Sequence, residues 1–132
     1  MEHTYNDLEL LYVELSAYRR NALTVRIDLG KKILQWKDNY QWSNNFVRSL
    51  TPENIRLVRD CLPRTQLFTW PLLENEEDSQ ISRDTIWQVT LCFSDGSISR
   101  YGGEKIFPVH WDVFRDMIEG VARIPFKIRG WK

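Results

Sequence analysis

The stretch that decides the fold is residues 87–101, which read WQVTLCFSDGSISRY. Apolar residues occupy every second position over the first seven residues, which is typical of a strand with one buried face and one wet face. Asp95 and Gly96 then supply a tight turn, because glycine accepts a positive φ and aspartate can bond to the backbone that follows it. The stretch therefore predicts a β-hairpin with strands over 86–94 and 97–102.

An earlier segment has the same alternation. Residues 22–29 read ALTVRIDL, with aliphatic side chains on one face and Thr, Arg and Asp on the other. A glycine-containing turn follows, and residues 31–38 are predicted to return as a second strand. Residues 5–15, rich in Leu, Tyr and Val, are predicted to add a further strand. Two hairpins joined edge to edge predict an antiparallel sheet of four to five strands.

Two helices are predicted from apolar residues at helical spacing. The first spans 51–62, where Thr51 can cap the free amides and the proline after it suits the first helical position. Pro63 is expected to end it, because proline removes a backbone donor. The second spans 108–121 and is opened by Pro108. With both helices on one face of the sheet, the fold class is α+β, a two-layer sandwich.

The strand and helix patterns together predict the core. Its members are Leu23, Val25, Ile27, Ile55, Val58, Leu62, Trp87, Val89, Leu91, Phe93, Trp111, Phe114 and Ile118. The 132 residues fit a single domain over 1–132. An exposed acidic loop is expected at about 72–84, and a basic C-terminal tail at about 122–132.

Composition restricts the classes of function. Lys and Arg number 18, as do Asp and Glu, so the net charge is zero, whereas general nucleic-acid binders carry a basic excess. The start of the chain has no signal-peptide pattern, and no apolar run reaches the roughly 18 residues of a membrane span. The expectation is a soluble cytoplasmic protein with two free thiols, Cys61 and Cys92.

Two groups of residues could carry chemistry. Cys92 could act as a nucleophile if the fold brought His110 within hydrogen-bond reach. Asp112, Asp116 and Glu119 share one helix face and could hold a metal ion. An inert strand cysteine, a surface histidine and a solvated helix face explain the same residues without a site. No nucleotide, zinc or nucleophile motif occurs, so no cofactor is expected.

A protein partner is the other possibility, and two segments favour it. The aromatics Tyr40, Trp42 and Phe46 lie in a polar stretch without regular period, and such residues often anchor interfaces. Carboxylates in the acidic loop could steer a basic partner towards the protein. The carboxylates concerned are those of Glu74, Glu76, Glu77 and Asp78. The alternative is that the aromatics extend the core and that the loop is only solvated.

The motifs of the chain resemble those of small α+β proteins of Gram-positive bacteria and their mobile elements, to which no activity is assigned. The shared motifs are Trp87-x-Val89-x-Leu91-x-Phe93-x-Asp95-Gly96, Tyr101-Gly102-Gly103, Phe107-Pro108-x-x-Trp111-x-x-Phe114, Leu23-x-Val25-x-Ile27-Asp28-Leu29 and Leu67-Phe68-x-Trp70. The resemblance covers roughly residues 22–120 and implies a bacterial or phage accessory protein. It assigns no site residues.

These observations predict a non-catalytic protein-binding module, such as an inhibitor, an immunity protein or an anti-defence protein. One alternative is a small enzyme or metal-dependent hydrolase using Cys92 with His110 and the carboxylates of the second helix. The other alternative is a nucleic-acid-binding accessory protein. It would use Arg19, Arg20, Lys31, Lys32 and the basic tail.

The two predicted contact segments should affect binding kinetics differently. Trp42→Ala should mainly accelerate dissociation of the partner, because it removes buried contact area. Reversing the charges of the acidic loop should mainly slow association, and this effect should fade with salt. Surface plasmon resonance with the isolated partner measures both rates. The binding hypothesis would fail if the protein purified alone from its native host under gentle conditions and its structure showed a deep polar pocket instead of a flat aromatic patch.

Overall fold

The computed structural model describes residues 4–17, 20–38, 45–72, 86–103, 107–124 and 126. Its strands are β1 (Leu8–Ala17), β2 (Arg20–Asp28), β3 (Ile33–Asp38), β4 (Phe46–Ser49), β5 (Trp87–Phe93) and β6 (Ile98–Gly103), and its helices are α1 (Pro52–Thr65) and α2 (Trp111–Ala122). The strands form one antiparallel sheet in the order β4-β3-β2-β1-β5-β6. The predicted α+β class is confirmed. Across the described ranges, no helix is long and apolar enough to span a membrane.

Strand β1 joins the two predicted hairpins. Val13 lies opposite Val25 of β2 on one side and opposite Val89 of β5 on the other. Directly opposite residues face the same side of a sheet, so this row continues to Trp36 on β3 and Tyr101 on β6. All five side chains are buried, and they define the face of the sheet on which the helices pack.

The start of α1 follows the prediction and its end does not. The Thr51 hydroxyl accepts a hydrogen bond from the Asn54 amide at 3.1 Å, which caps the helix. The prediction that Pro63 ends the helix was wrong, because α1 continues to Thr65. Proline removes a single donor, and the helix ends two residues later where Gln66 takes the left-handed conformation with φ 55°.

Helix α2 begins three residues later than predicted. The amide of Trp111 donates to the Pro108 carbonyl at 3.2 Å, which makes a turn, and His110 has a left-handed φ of 60°. The helix can therefore begin only after His110. Near its other end, a Cβ atom on Gly120 would lie 2.9 Å from the Cδ2 atom of Leu57. The glycine thus permits close approach of α1 and α2.

The sixth strand, β4, was missed by the prediction of four to five strands. It has only four residues, which is too short to show a clear alternation, and a charged residue occupies one of its inward positions. That residue, Arg48, lies opposite the buried Leu34. Its guanidinium donates to the Ala122 carbonyl at 2.8 Å and lies 4.6 Å from the centroid of the Phe46 ring. Arg48 remains exposed at this edge of the sheet, so its charge is not buried, and it bonds to the carbonyl end of α2.

Burial agrees with the predicted core except at Ile55 and Trp111, which are partly buried. The centre of the core is aromatic. Trp70, on the segment after α1, lies 5.5 Å from Trp87 and 5.4 Å from Phe114 between ring centroids. Its indole N–H donates to the carbonyl oxygens of Thr65, at 3.1 Å, and Val109, at 3.0 Å. Trp70 therefore ties the end of α1 to the start of α2 across β5.

Removal of the Phe114 side chain tests this arrangement. Phe114 is fully buried against Trp70 and Trp111, so Phe114→Ala should lower the free energy of unfolding by about 3–5 kcal/mol. Arg115→Ala, at an exposed position of the same helix, is the matched control and should change it by less than about 0.5 kcal/mol. Denaturant titration measures both. Equal stability of the two variants would mean that the buried face of α2 is misassigned.

Candidate functional site

The two faces of the sheet differ in what covers them. The helices and the aromatic core lie on one face. On the other face, no helix or strand of the described residues packs against the sheet. We call this second surface the open face. It carries the alternate residues of every strand, from Val47 on β4 at one edge to Ile98 and Arg100 on β6 at the other.

An apolar stripe crosses part of the open face. Leu10 on β1 lies opposite Cys92 on β5, and Cys92 lies opposite Ile98 on β6. Leu10 and Cys92 are half-buried, while Ile98 is 52% exposed. Ile33 lies on the same row, beyond Asp28, and is also exposed. Side chains of this type lose contact with water only when another surface covers them.

A polar row runs beside the apolar stripe. Tyr12 lies opposite Arg26 on one side and opposite Thr90 on the other, and Arg100 follows on β6. Burial among its neighbours raises the pKa of the Tyr12 phenol, and the Glu14 carboxylate raises it further. A hydrogen bond with the Thr24 side chain and the positive charge of Arg26 oppose this shift. The phenol therefore stays neutral near pH 7 and serves as a hydrogen-bonding group.

A half-open depression lies at the β2–β3 end of the open face. It is lined by Arg26, Asp28, Lys31, Ile33 and Gln35. The Asp28 carboxylate accepts the Lys31 amide at 2.8 Å, which fixes the turn, and lies 3.9 Å from the Arg26 guanidinium. The Arg26 side chain is exposed and the Asp28 side chain only partly so, and a pair at this distance contributes little to stability. The exposed guanidinium can therefore exchange the Asp28 carboxylate for an acceptor group of a partner.

The residues predicted to contact a partner fall mostly outside the described residues. Phe46 is described, on β4, where it is half-buried and stacks on Trp36 with 5.9 Å between ring centroids. The Asp38 amide donates to the Asn45 side chain at 2.6 Å and joins the ends of β3 and β4. Those that lie outside the described ranges are Tyr40, Trp42, Glu74, Glu76, Glu77 and Asp78.

The fold separates the candidate nucleophile from its candidate base. Cys92 lies on the open face, between the inward-facing Leu91 and Phe93. His110 precedes α2 on the opposite face, next to Trp111, which contacts Trp87. Since Cys92 lies five residues beyond Trp87 along β5, about 16 Å separates the two positions along the strand alone. A direct hydrogen bond between Cys92 and His110 does not form in this fold.

The three carboxylates of α2 have different surroundings. The Glu119 carboxylate accepts the amide of Phe126 at 2.9 Å and thereby holds the chain that follows the helix. Asp116 lies 3.4 Å from the guanidinium of Arg115, and Asp112 is exposed. Within the described ranges, no group of three or more His, Cys, Asp or Glu residues is placed to hold a metal ion.

Sequence reasoning missed the open face, although a signal was present. Leu10 and Leu11 are adjacent, as are Ile33 and Leu34. Neighbouring residues of a strand point to opposite faces, so one member of each pair must lie away from the core. Leu11 and Leu34 are buried, and their neighbours occupy the open face.

The raised pKa of Tyr12 predicts how the phenol titrates and how folding stability changes at alkaline pH. A phenol with a raised pKa stabilises the fold fully below its unfolded pKa of about 10, and this stabilisation is lost as the pH rises through the folded value. Tyr12→Phe should therefore remove from the absorbance titration one phenol that ionises at unusually high pH. It should also reduce the loss of folding stability as the pH rises above about 10. Glu14→Gln should instead lower the Tyr12 pKa. A titration that Tyr12→Phe leaves unchanged at its alkaline end would contradict the prediction.

No protein-family model matches the sequence, no curated protein is detectably similar to it, and no solved structure matches it.

Proposed function

We propose that the protein is a non-catalytic protein-binding module whose partner covers the open face. The observation that carries the proposal is the position of the exposed apolar side chains. Among the described residues, large apolar side chains are exposed at Ile33, Val47, Leu72, Ile98 and Val109. Three of the five share the open face, against which no helix of the described ranges packs. An exposed apolar surface bordered by polar groups is characteristic of interaction sites.

The shape and chemistry of the open face favour a macromolecule. Six strands span roughly 24 Å from edge to edge, a width suited to a protein surface of standard size. The apolar stripe would supply buried area. Arg26, Tyr12, Thr90 and Arg100 would supply directional hydrogen bonds. Interfaces commonly combine these two features, with an apolar centre and a polar rim.

Binding also accounts better than catalysis for the placement of the reactive residues. Cys92 lies within the apolar stripe, where a small apolar side chain fits an interface, and its candidate base His110 is on the other side of the sheet. The finer proposal, an inhibitor, immunity or anti-defence protein acting in the cytoplasm, rests on the sequence resemblance. The carboxylates of the acidic loop would then steer a basic partner towards the protein. They are those of Glu74, Glu76, Glu77 and Asp78.

A pair of matched substitutions tests the proposal. Ile98→Asp places a charge in the apolar stripe, while Val109→Asp makes a comparable change at an exposed position that precedes α2. Partners captured by the tagged wild-type chain from an extract of its native host should be retained by Val109→Asp and lost by Ile98→Asp. Thermal melts should show both variants folded. Equal retention by the two variants would exclude the open face as the binding surface.

A further inference from the structure

The depression on the open face is built by one short segment of chain. Arg26 of β2 lies opposite Gln35 of β3, and Asp28 lies opposite Ile33, so all four side chains leave the sheet on the same face. Lys31, in the turn between the two strands, completes the lining. The Asp28 carboxylate accepts the Lys31 amide at 2.8 Å, so the strand and the turn hold each other in place.

The size of the depression restricts what it can hold. Its volume is about 160 Å³. Pockets that enclose a whole small molecule commonly measure roughly 300–1,000 Å³. The depression therefore suits a single chemical group that projects from a larger surface.

The Arg26 guanidinium is the main hydrogen-bond donor in the lining. Its side chain is 46% exposed, and it lies 3.9 Å from the Asp28 carboxylate, which is longer than a hydrogen bond. This contact consequently satisfies none of the five N–H donors of the guanidinium. A carboxylate placed in the depression can accept two of these donors in parallel, which is the strongest geometry that arginine offers.

The charges of the lining favour a ligand with one negative charge. Arg26 and Lys31 supply two positive charges and Asp28 supplies one negative charge, so the lining has a net charge of +1. One carboxylate neutralises this charge. A phosphate group carries about −1.5 to −2 charges at pH 7, and the excess negative charge would lie beside Asp28 and be repelled.

An apolar wall borders the charged groups. Ile33 lines the depression and is 37% exposed. Leu10 of the apolar stripe lies opposite Asp28 on the other side of β2. A ligand that carries aliphatic groups next to its carboxylate would therefore lose apolar surface to Ile33 on binding, and would bind more tightly than a bare carboxylate.

We propose that the depression binds one side-chain carboxylate of the partner, an Asp or Glu residue flanked by aliphatic groups. The inference rests on the proposed function, and it names the chemistry that the partner presents to the β2–β3 end of the open face. Arg26 holds the carboxylate through two hydrogen bonds. Lys31 adds a positive charge on a flexible stem, and Ile33 contacts the aliphatic neighbours.

Sodium isovalerate, a carboxylate with a branched aliphatic chain, tests the depression without the partner. The isotope-labelled full chain is titrated at pH 7 and constant ionic strength, with sodium chloride as the balancing salt, and followed by nuclear magnetic resonance. The amides of Lys31, Ile33 and Gln35 and the Nε–H of Arg26 should shift and reach saturation. Acetate and inorganic phosphate should each bind more weakly than isovalerate.

Three substitutions separate recognition from general charge. Arg26→Gln should weaken isovalerate binding about tenfold, because it removes the charged donors. Arg115→Gln is the matched control, since Arg115 is 45% exposed and lies 3.4 Å from Asp116, and it should leave binding unchanged. Asp28→Asn keeps an oxygen that can accept the Lys31 amide but removes the negative charge, so phosphate should then bind at least as tightly as isovalerate.

The inference is overturned if isovalerate shifts the amides no more than chloride does, or if phosphate binds the wild type more tightly. Equal binding of isovalerate by Arg26→Gln and Arg115→Gln also overturns it. Capture of partners from the native host then separates the two proposals. Isovalerate binding without any captured partner would contradict the proposed function and leave the carboxylate site standing, whereas a captured partner retained equally by Arg26→Gln and Arg115→Gln would overturn the inference alone.

Discussion

Strand β1 is paired along both of its sides, and the rest of the structure depends on this double pairing. β2 and β3 follow it on one side, and β5 and β6 follow it on the other. The two predicted hairpins therefore belong to one sheet only through their pairing with β1. A two-stranded hairpin is marginal in water, whereas three or more strands with a shared apolar face are stable. The row through Val13 supplies that shared face and gives α1 and α2 one continuous surface to cover.

The aromatic centre explains why the helices cover only one face. The Trp70 ring contacts those of Trp87, Trp111 and Phe114, and its indole N–H donates to carbonyl oxygens at the helix ends. The apolar surface that these large side chains bury lies between the inner face of the sheet and the helix layer. The opposite face is left with mixed polar and apolar residues, a chemistry suited to recognition by a second surface.

Some features followed from the sequence because their causes are local. The turn at Asp95 and Gly96 is one, since Gly96 has φ 90° and the Asp95 carboxylate accepts the Ser97 amide at 2.9 Å. The Thr51 cap is another. Other features required distant contacts. Arg48 lies on the inner face of β4 and donates to the Ala122 carbonyl at the end of α2, 74 residues along the chain.

The sequence by itself determined the α+β class, both hairpins, both helices and most of the core, because alternation, helical spacing and capping act within a few residues. It did not determine the location of a site. Cys92 and His110 look like a candidate pair in the sequence, and the sheet separates them. Leu10, Tyr12 and Ile98 look unrelated in the sequence, and strand pairing brings them onto one face. Only the tertiary structure decides such neighbours, because they depend on which strands pair and in which register.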